Sequence, residues 1–203
     1  MIDRFTFPII LLAAGQSRRM QGRDKLLEDV DGVPLIRAQA QKARIATSGS
    51  VIVALPPRPH PRYEALDGLV VTCLPVPDAD TGMNASLRRS VAALPQDAPC
   101  VMILLGDLPD LKVSDLCKLA SAVDLQSDTQ AWRGATAQGA PGHPIIFRNT
   151  LFDAFATLKG DSGGREVVAR AQGHVALIPL PDNRARGDLD TPEDWAAWRK
   201  ARD

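Results

Sequence analysis

Four short apolar runs, at 7–13 (FPIILLA), 50–55 (SVIVAL), 69–74 (LVVTCL) and 100–105 (CVMILL), punctuate the first half of the chain. Between them apolar positions recur every three or four residues. Continuous apolar runs of this length suit strands covered on both faces, as in a parallel sheet. The intervening periodicity predicts helices over 35–46 (after Pro34, which can sit in a first turn), 84–94 and 113–123. Alternation of the two kinds of segment predicts an α/β fold with a doubly wound, mostly parallel central sheet flanked by helices.

Past Asp128 the texture changes. Segments shorten, and Gly and Pro become frequent. Strands are predicted at 131–137 and 143–147, flanking a loop at 138–142, with another at 175–180. Helices are predicted at 150–158, 165–171 and 192–202. No internal repeat or low-complexity stretch marks a linker. The expectation is one domain over 1–203, with a nucleotide-binding half to about residue 127 and an acceptor-binding half from about 128.

Composition narrows the partners. Lys and Arg total 24, as do Asp and Glu. That balance argues against a nucleic-acid or membrane partner held by a global field, and leaves any anion-binding charge to be local. Cys73, Cys100 and Cys117 lie far apart in apolar stretches and form no CxxC pair, so they read as buried thiols in a reducing compartment. No apolar run reaches a membrane span. The first residues carry Asp3 ahead of their apolar run, unlike a secretory signal. The expected location is the cytoplasm.

Several segments carry candidate chemistry. The first strand runs into Ala13, Ala14 and Gly15, small residues whose backbone N–H groups can line an anion-binding concavity. Arg19 and Lys25 follow, able to neutralise phosphates by bidentate and point-charge contact respectively. A surface loop with solvated arginines is the alternative. Asp107, after Gly106 at the end of the fourth strand, can hold Mg²⁺ against phosphate oxygens or cap the following helix. Gly82, Asn84 and Ser86 stand at a helix start, where they can contact a nucleotide or serve as an ordinary cap. His143 lies on a Gly/Pro loop, and the 160–165 segment (GDSGGR) precedes a helix, suited to a second anionic group or to a plain turn. Thr191, Glu193 and Asp194 read as a helix start with Pro192 in its first turn. Asp190 is left over and can join Asp107 at a metal, with Asp188 as a rival.

The order of these segments is more specific than any one. LAAGQSRRM at 12–20, DKLL at 24–27, GMNASL at 82–87, LLGDLP at 104–109, GHP at 142–144, GDSGGR at 160–165 and DLDTPEDW at 188–195 together resemble the nucleotidyltransferases of molybdenum-cofactor maturation, above all the cytidylyltransferase branch. The resemblance covers about residues 8–195. It implies a Rossmann-like nucleotidyltransferase fold. Leu12, Ala13, Ala14, Gly15, Arg19 and Lys25 would bind the triphosphate, with Gly82, Asn84 and Ser86 approaching the nucleotide. Many relatives carry an Asn shortly before the GMNASL glycine, where this chain has Val76-Pro77-Asp78; Asp78 would supply that contact. Asp107 and Asp190 would hold Mg²⁺. His143 with Gly160, Asp161, Gly163, Gly164 and Arg165 would lie on the acceptor side. Arg19, Lys25 and Asp107 would be the catalytic set. The implied reaction joins CMP from CTP to molybdopterin cofactor and releases pyrophosphate, with a molybdoenzyme or its maturation factor as a further partner. GTP in place of CTP, a sugar or polyol phosphate acceptor, and a non-catalytic cofactor carrier are the other readings. The pair Ala13-Ala14 resembles the cytidylyl branch; glycine in the second place would resemble the guanylyl branch.

Overall fold

The computed structural model describes residues 4–202. Strands β1 (Ile9–Leu12), β4 (Val51–Leu55), β5 (Thr72–Pro75), β6 (Cys100–Leu105), β7 (Ala131–Ala135), β8 (Pro141–Arg148) and β9 (Val175–Pro179) form a seven-stranded sheet in the order β5-β4-β1-β6-β8-β7-β9. A two-stranded hairpin of β2 (Asp29–Val30) and β3 (Val33–Pro34) stands apart. The ladders β5-β4-β1-β6 and β7-β9 are parallel, while β8 runs antiparallel to both neighbours. The sheet is therefore mostly parallel and flanked by helices, a Rossmann-like architecture.

The uninterrupted apolar run of β1 has a direct cause. Ile9 and Leu11 enter one core with helix α1 (Leu35–Ala46), helix α3 (Val113–Ser121) and Trp195 of helix α6 (Pro192–Lys200). Ile10 and Leu12 enter the other, beneath α2 (Met83–Ala92), α4 (Phe152–Ala156) and α5 (Arg165–Arg170). Both faces are covered, so every position of β1 is apolar, and each side chain contributes about 1.5–3 kcal/mol by burial.

Several boundaries differ from the pattern-based expectation. The third strand begins at Thr72, because Gly68 at φ +78° turns the chain and Val70 is left 82% exposed before pairing with β4 starts at Ile52. The predicted 138–142 loop shrinks to a turn closed between Thr136 and Ala140, and β8 starts at Pro141. His143 thus lies within a strand and not on a loop. Pro34 ends β3 in an extended conformation ahead of α1, outside its first turn. Among the described residues no helix is long and apolar enough to cross a membrane. Cys100 is buried, while Cys73 and Cys117 are only partly so.

Candidate active site

The central parallel strands β1 and β6 end side by side, with Leu12 opposite Leu105. Open α/β sheets bind ligands beyond such carboxyl ends. Gly106 donates its N–H to the Leu12 carbonyl at 3.1 Å, and a Cβ there would sit 3.0 Å from the same oxygen. Asp107 therefore emerges directly beside the loop that follows β1. Its carbonyl accepts from Leu189 N–H at 3.2 Å, which draws the 188–190 segment in from the far end of the chain.

The loop after β1 holds its shape through side chains distant in sequence. Met20 is fully buried and anchors a 3-10 turn, Arg18–Met20, bounded by Ser17 and Gln21 in the left-handed region. Among the described residues the N–H groups of Ala14, Gly15, Gln16 and Ser17 meet no acceptor. Backbone donors need partners, and a run of four at a strand end fits an anion. Arg62, 1% exposed, braces this loop from behind. It grips Asp24 with Nε and Nη2, both at 2.7 Å, and donates to the Ala13 carbonyl at 2.6 Å and to Ser17 Oγ at 3.3 Å. Burial pushes the Asp24 carboxyl up, but Arg62 and the N–H of Leu26 outweigh this and hold it below its usual range.

Arg62 was invisible in the sequence, since its partners lie 38 and 49 residues away and no local motif marks it. Arg62→Met is expected to weaken nucleotide binding roughly tenfold and to lower stability by about 3 kcal/mol, because it strands a partly buried carboxylate. Arg62→Lys recovers little, since an ammonium cannot reproduce the fork. Thermal melts and nucleotide titration test this; unchanged values for Arg62→Met would refute it.

Lys25 stands at the centre of the cleft. Its ammonium donates to Asp107 Oδ2 at 2.6 Å and to Asp190 Oδ1 at 2.7 Å, while Arg19 reaches Asp190 Oδ2 at 2.6 Å. Burial pushes the Lys25 pKa down; Asp107 and then Asp190 more than offset this and leave it raised. Burial likewise pushes Asp190 up, and Lys25, Asp188 and Arg19 bring it below the usual carboxylate range. Asp188 moves the other way, raised by burial and by Asp190 beside it, with Asp107 adding to the effect. The position of Asp190 follows from the start of α6. Thr191 and Asp194 form a capping box there, and the Asp194 carboxylate also accepts the Asp190 N–H at 3.1 Å.

The donor set suits a divalent cation in part. Asp107 Oδ1 is buried and, among the described residues, has no hydrogen-bond partner. Buried polar atoms of this kind call for a partner that the protein does not supply. Among the described residues no group of three or more His, Cys, Asp or Glu side chains is arranged as a metal cage. A divalent cation held by one or two carboxylates can complete its shell with phosphates and water.

The cleft measures about 330 Å³ and is lined by Leu12, Ala13, Ala14, Gly15, Arg19, Lys25, Gly82, Ser86, Asp107 and Asp190, all singled out in the sequence. Ala79, Asp80 and Met83 also line it and were not singled out. Asp161 lines it too, although the sequence put it on the acceptor side. Its carboxylate accepts the Met83 N–H at 2.6 Å, at the first residue of α2. Asp78 turns away and pairs with Arg88 at 2.6 Å. Asn84 is fully buried, and its side chain ties down the glycine-rich segment through the Lys159 carbonyl, Ser162 Oγ and the Gly164 N–H. Asn84 and Asp161 thus cross-brace α2 and the 160–165 segment. Gly160, Gly163, Gly164, Arg165 and His143 do not line this cleft. The Gly164 N–H is spent on Asn84, and α5 has only six residues, so this segment is a brace more than an anion-binding helix start. The His143 ring is pushed down to about 4 by burial and by Arg133, with Asp107 opposing, and is neutral at pH 7.

Comparison with known proteins agrees with this geometry. The family model described as MobA-like NTP transferase domain matches residues 9–175. A protein of Synechococcus elongatus named probable molybdenum cofactor guanylyltransferase is 33% identical, covering 94% of this chain and 97% of its own. The purine catabolism protein PucB of Bacillus subtilis is 29% identical, covering 95% of each. The crystal structure of Rv0371c from Mycobacterium tuberculosis superposes with a TM-score of 0.82 at 26% identity, covering 96% of this chain and 97% of that one. A nucleotidyl transferase from Methanothermobacter superposes with a TM-score of 0.75 at 22% identity, covering 96% and 97%.

Proposed function

The chain belongs to the MobA-like NTP transferase family, and from that premise we propose that it joins CMP from CTP to molybdopterin cofactor with release of pyrophosphate. The observation that carries the reading is the Lys25 ammonium held between Asp107 and Asp190, in the same cleft that Ala14 to Ser17 line. A cation, two carboxylates and a backbone anion nest within one cleft are what a nucleoside triphosphate with its metal requires.

Both reactants are anionic, so the obstacle is repulsion and orientation. Asp107 and Asp190 would hold Mg²⁺, which when bound supplies positive charge to the phosphate oxygens. Lys25 remains protonated through the neutral range, because the two carboxylates keep its pKa raised. It therefore brings a fixed charge to the triphosphate. Arg19, its side chain 69% exposed, is free to exchange Asp190 for a phosphate. A phosphate oxygen of the acceptor attacks the α-phosphorus. A new P–O–P bond forms, the α–β anhydride breaks, and pyrophosphate leaves with the electron pair. The acceptor phosphate is already a nucleophile near neutral pH, so no Ser, Cys or His is asked to become one.

Base choice rests on Ala14. It lines the cleft, where the choice between alanine and glycine alters how closely a base approaches the backbone, and alanine resembles the cytidylyl branch. A second reading, GMP transfer from GTP to the same acceptor, is favoured by relatives such as the Synechococcus protein, which is named for guanylyl transfer. The test incubates the protein with Mg²⁺, molybdopterin cofactor and each of CTP, GTP, ATP and UTP, and measures pyrophosphate release. Release with CTP alone supports the first reading, and with GTP alone the second. No release with any nucleotide, alongside tight cofactor binding, makes the protein a carrier.

A further inference from the structure

The turn that carries Asp107 is held by side chains from both ends of the chain. Upstream, Gly106 is pinned to the Leu12 carbonyl. Downstream, the Leu108 carbonyl accepts from Gln39 Nε2 at 2.5 Å, and the Pro109 carbonyl accepts from Lys42 Nζ at 2.7 Å. Gln39 and Lys42 stand three residues apart on α1 and are therefore neighbours on one helix face. Asp110 completes the series, its Oδ1 accepting from Trp198 Nε1 of α6 at 2.9 Å. Helix α3 begins only at Val113, so the 107–110 segment has no regular structure of its own. Groups from distant elements set its path.

Gln39 is out of place by the rules of core packing. The buried face of α1 consists of Leu35, Ile36, Gln39, Ala40, Ala43 and Ala46, and Gln39 is as fully buried as its apolar neighbours. Among the described residues its amide oxygen meets no hydrogen-bond partner. A buried amide satisfied on one side only costs stability that a leucine or methionine would not. The Leu108 carbonyl does not require it, because the Leu111 N–H already donates there at 3.3 Å. Packing and polar satisfaction thus leave Gln39 unexplained, and what remains is its bond to the residue beside Asp107. Asp107 in turn depends on its backbone for aim. Lys25 holds Oδ2, but among the described residues nothing holds Oδ1.

We propose that Gln39 is a positioning residue for Asp107. Through the Leu108 carbonyl it fixes the peptide that follows Asp107 and so aims the unpartnered Oδ1 at the divalent cation, while Lys42 secures the next peptide. Groups that hold a metal ligand in place act on affinity through the ligand's geometry. A misplacement of about 1 Å at such a site can cost roughly a hundredfold in rate. The purpose of the brace rests on Asp107 being the metal ligand of the proposed transfer; the brace itself does not. Gln39 does not line the cleft, so its loss should fall on metal binding and kcat and spare the KM for the nucleotide.

The test compares the full chain with Gln39→Met, which keeps length and apolar packing and removes the donor. Lys42→Met removes the neighbouring clasp from a half-buried site and is the gentler second variant. Amide hydrogen exchange at Leu111 reads the turn, Mn²⁺ titration of the nucleotide-free protein followed by electron paramagnetic resonance reads the metal site, and pyrophosphate release gives kcat and KM. Gln39→Met is expected to keep its melting temperature, to exchange at Leu111 faster than wild type, to bind Mn²⁺ about tenfold more weakly and to lose kcat by a similar factor, with the nucleotide KM little changed. Lys42→Met shifts Mn²⁺ affinity the same way by a smaller factor. Equal Mn²⁺ affinity in wild type and Gln39→Met overturns the proposal, as does no binding by either; should Gln39→Met not fold, Lys42→Met decides in the same way. A loss that tracks a fall in melting temperature, or that falls on KM with kcat intact, also overturns it, because Gln39 would then be a packing or nucleotide-binding residue. If wild type releases no pyrophosphate with any nucleotide, the transfer reading fails, and Gln39-dependent Mn²⁺ affinity still upholds the brace.

Discussion

Asp107→Asn is expected to lower kcat/KM by roughly 10²–10³ while leaving the fold intact. The substitution preserves shape and removes one negative charge. In the free protein Asp107 Oδ2 accepts from Lys25, and Oδ1 is buried without a partner. An amide can still accept from Lys25 through its oxygen, so the packing survives. Its NH₂ then points where a cation's positive charge would sit, and the divalent site is lost. The loss should fall on kcat more than on KM for the nucleotide, because Lys25, Arg19 and the loop N–H groups still bind the triphosphate. Circular dichroism and steady-state kinetics at saturating Mg²⁺ measure both sides. Near-normal turnover in folded Asp107→Asn would sink the metal assignment.

That prediction concerns a residue the chain singled out, because Asp107 follows a buried strand and a glycine; the alternative, a cap for the following helix, falls away because α3 starts only at Val113, with Lys112 at its cap. Local signals of this kind gave the strands β1 and β6, the small residues and cationic loop that follow β1, and the helix start from Thr191 to Asp194, whose capping box the structure adds. Other features were set by tertiary contacts. Arg62 is one of two arginines in a Pro-rich loop, and its worth comes from Asp24, Ala13 and Ser17 converging on it. Asn84 looked like a nucleotide contact because it stands at the start of a helix, yet helical geometry turns its amide inward to the 160–165 segment. Asp161 looked like part of an acceptor loop, and the same crossing brings it to Met83 and the cleft. The Asp29–Val30 and Val33–Pro34 hairpin escaped notice because two-residue strands leave no alternation to read, although Asp31-Gly32 is a favoured turn pair. Gly82 shows how tight that crossing is. At φ +121° it lies where a Cβ would come within 2.6 Å of the Gly160 carbonyl oxygen.

Lys25→Ala is expected to lower turnover by a factor comparable to Asp107→Asn, with the opposite effect on metal binding in the free protein. With its ammonium 2.6 Å and 2.7 Å from the two carboxylates, Lys25 occupies the position of a counter-cation, and a divalent ion arriving alone must displace it. Its removal leaves Asp190 paired with Arg19 and Asp107 without its ammonium partner, beside Asp188. Repulsion among partly buried carboxylates should destabilise the variant by about 3 kcal/mol. The sign of the pH response follows from the wild-type shifts. Lys25 is the chief group holding the Asp190 pKa down, so stability that wild type keeps until acid pH is lost in the variant, whose carboxylates protonate more readily. A divalent cation should replace the missing charge. Mn²⁺ is therefore expected to raise the melting temperature of Lys25→Ala more than that of wild type when no nucleotide is present, and to bind it more tightly. It should not restore turnover, because the triphosphate has lost the fixed cation that meets it. Equal Mn²⁺ stabilisation of both proteins would show that Lys25 and the metal do not compete for the same carboxylates. Turnover restored by Mn²⁺ would show that the lysine serves only to neutralise them.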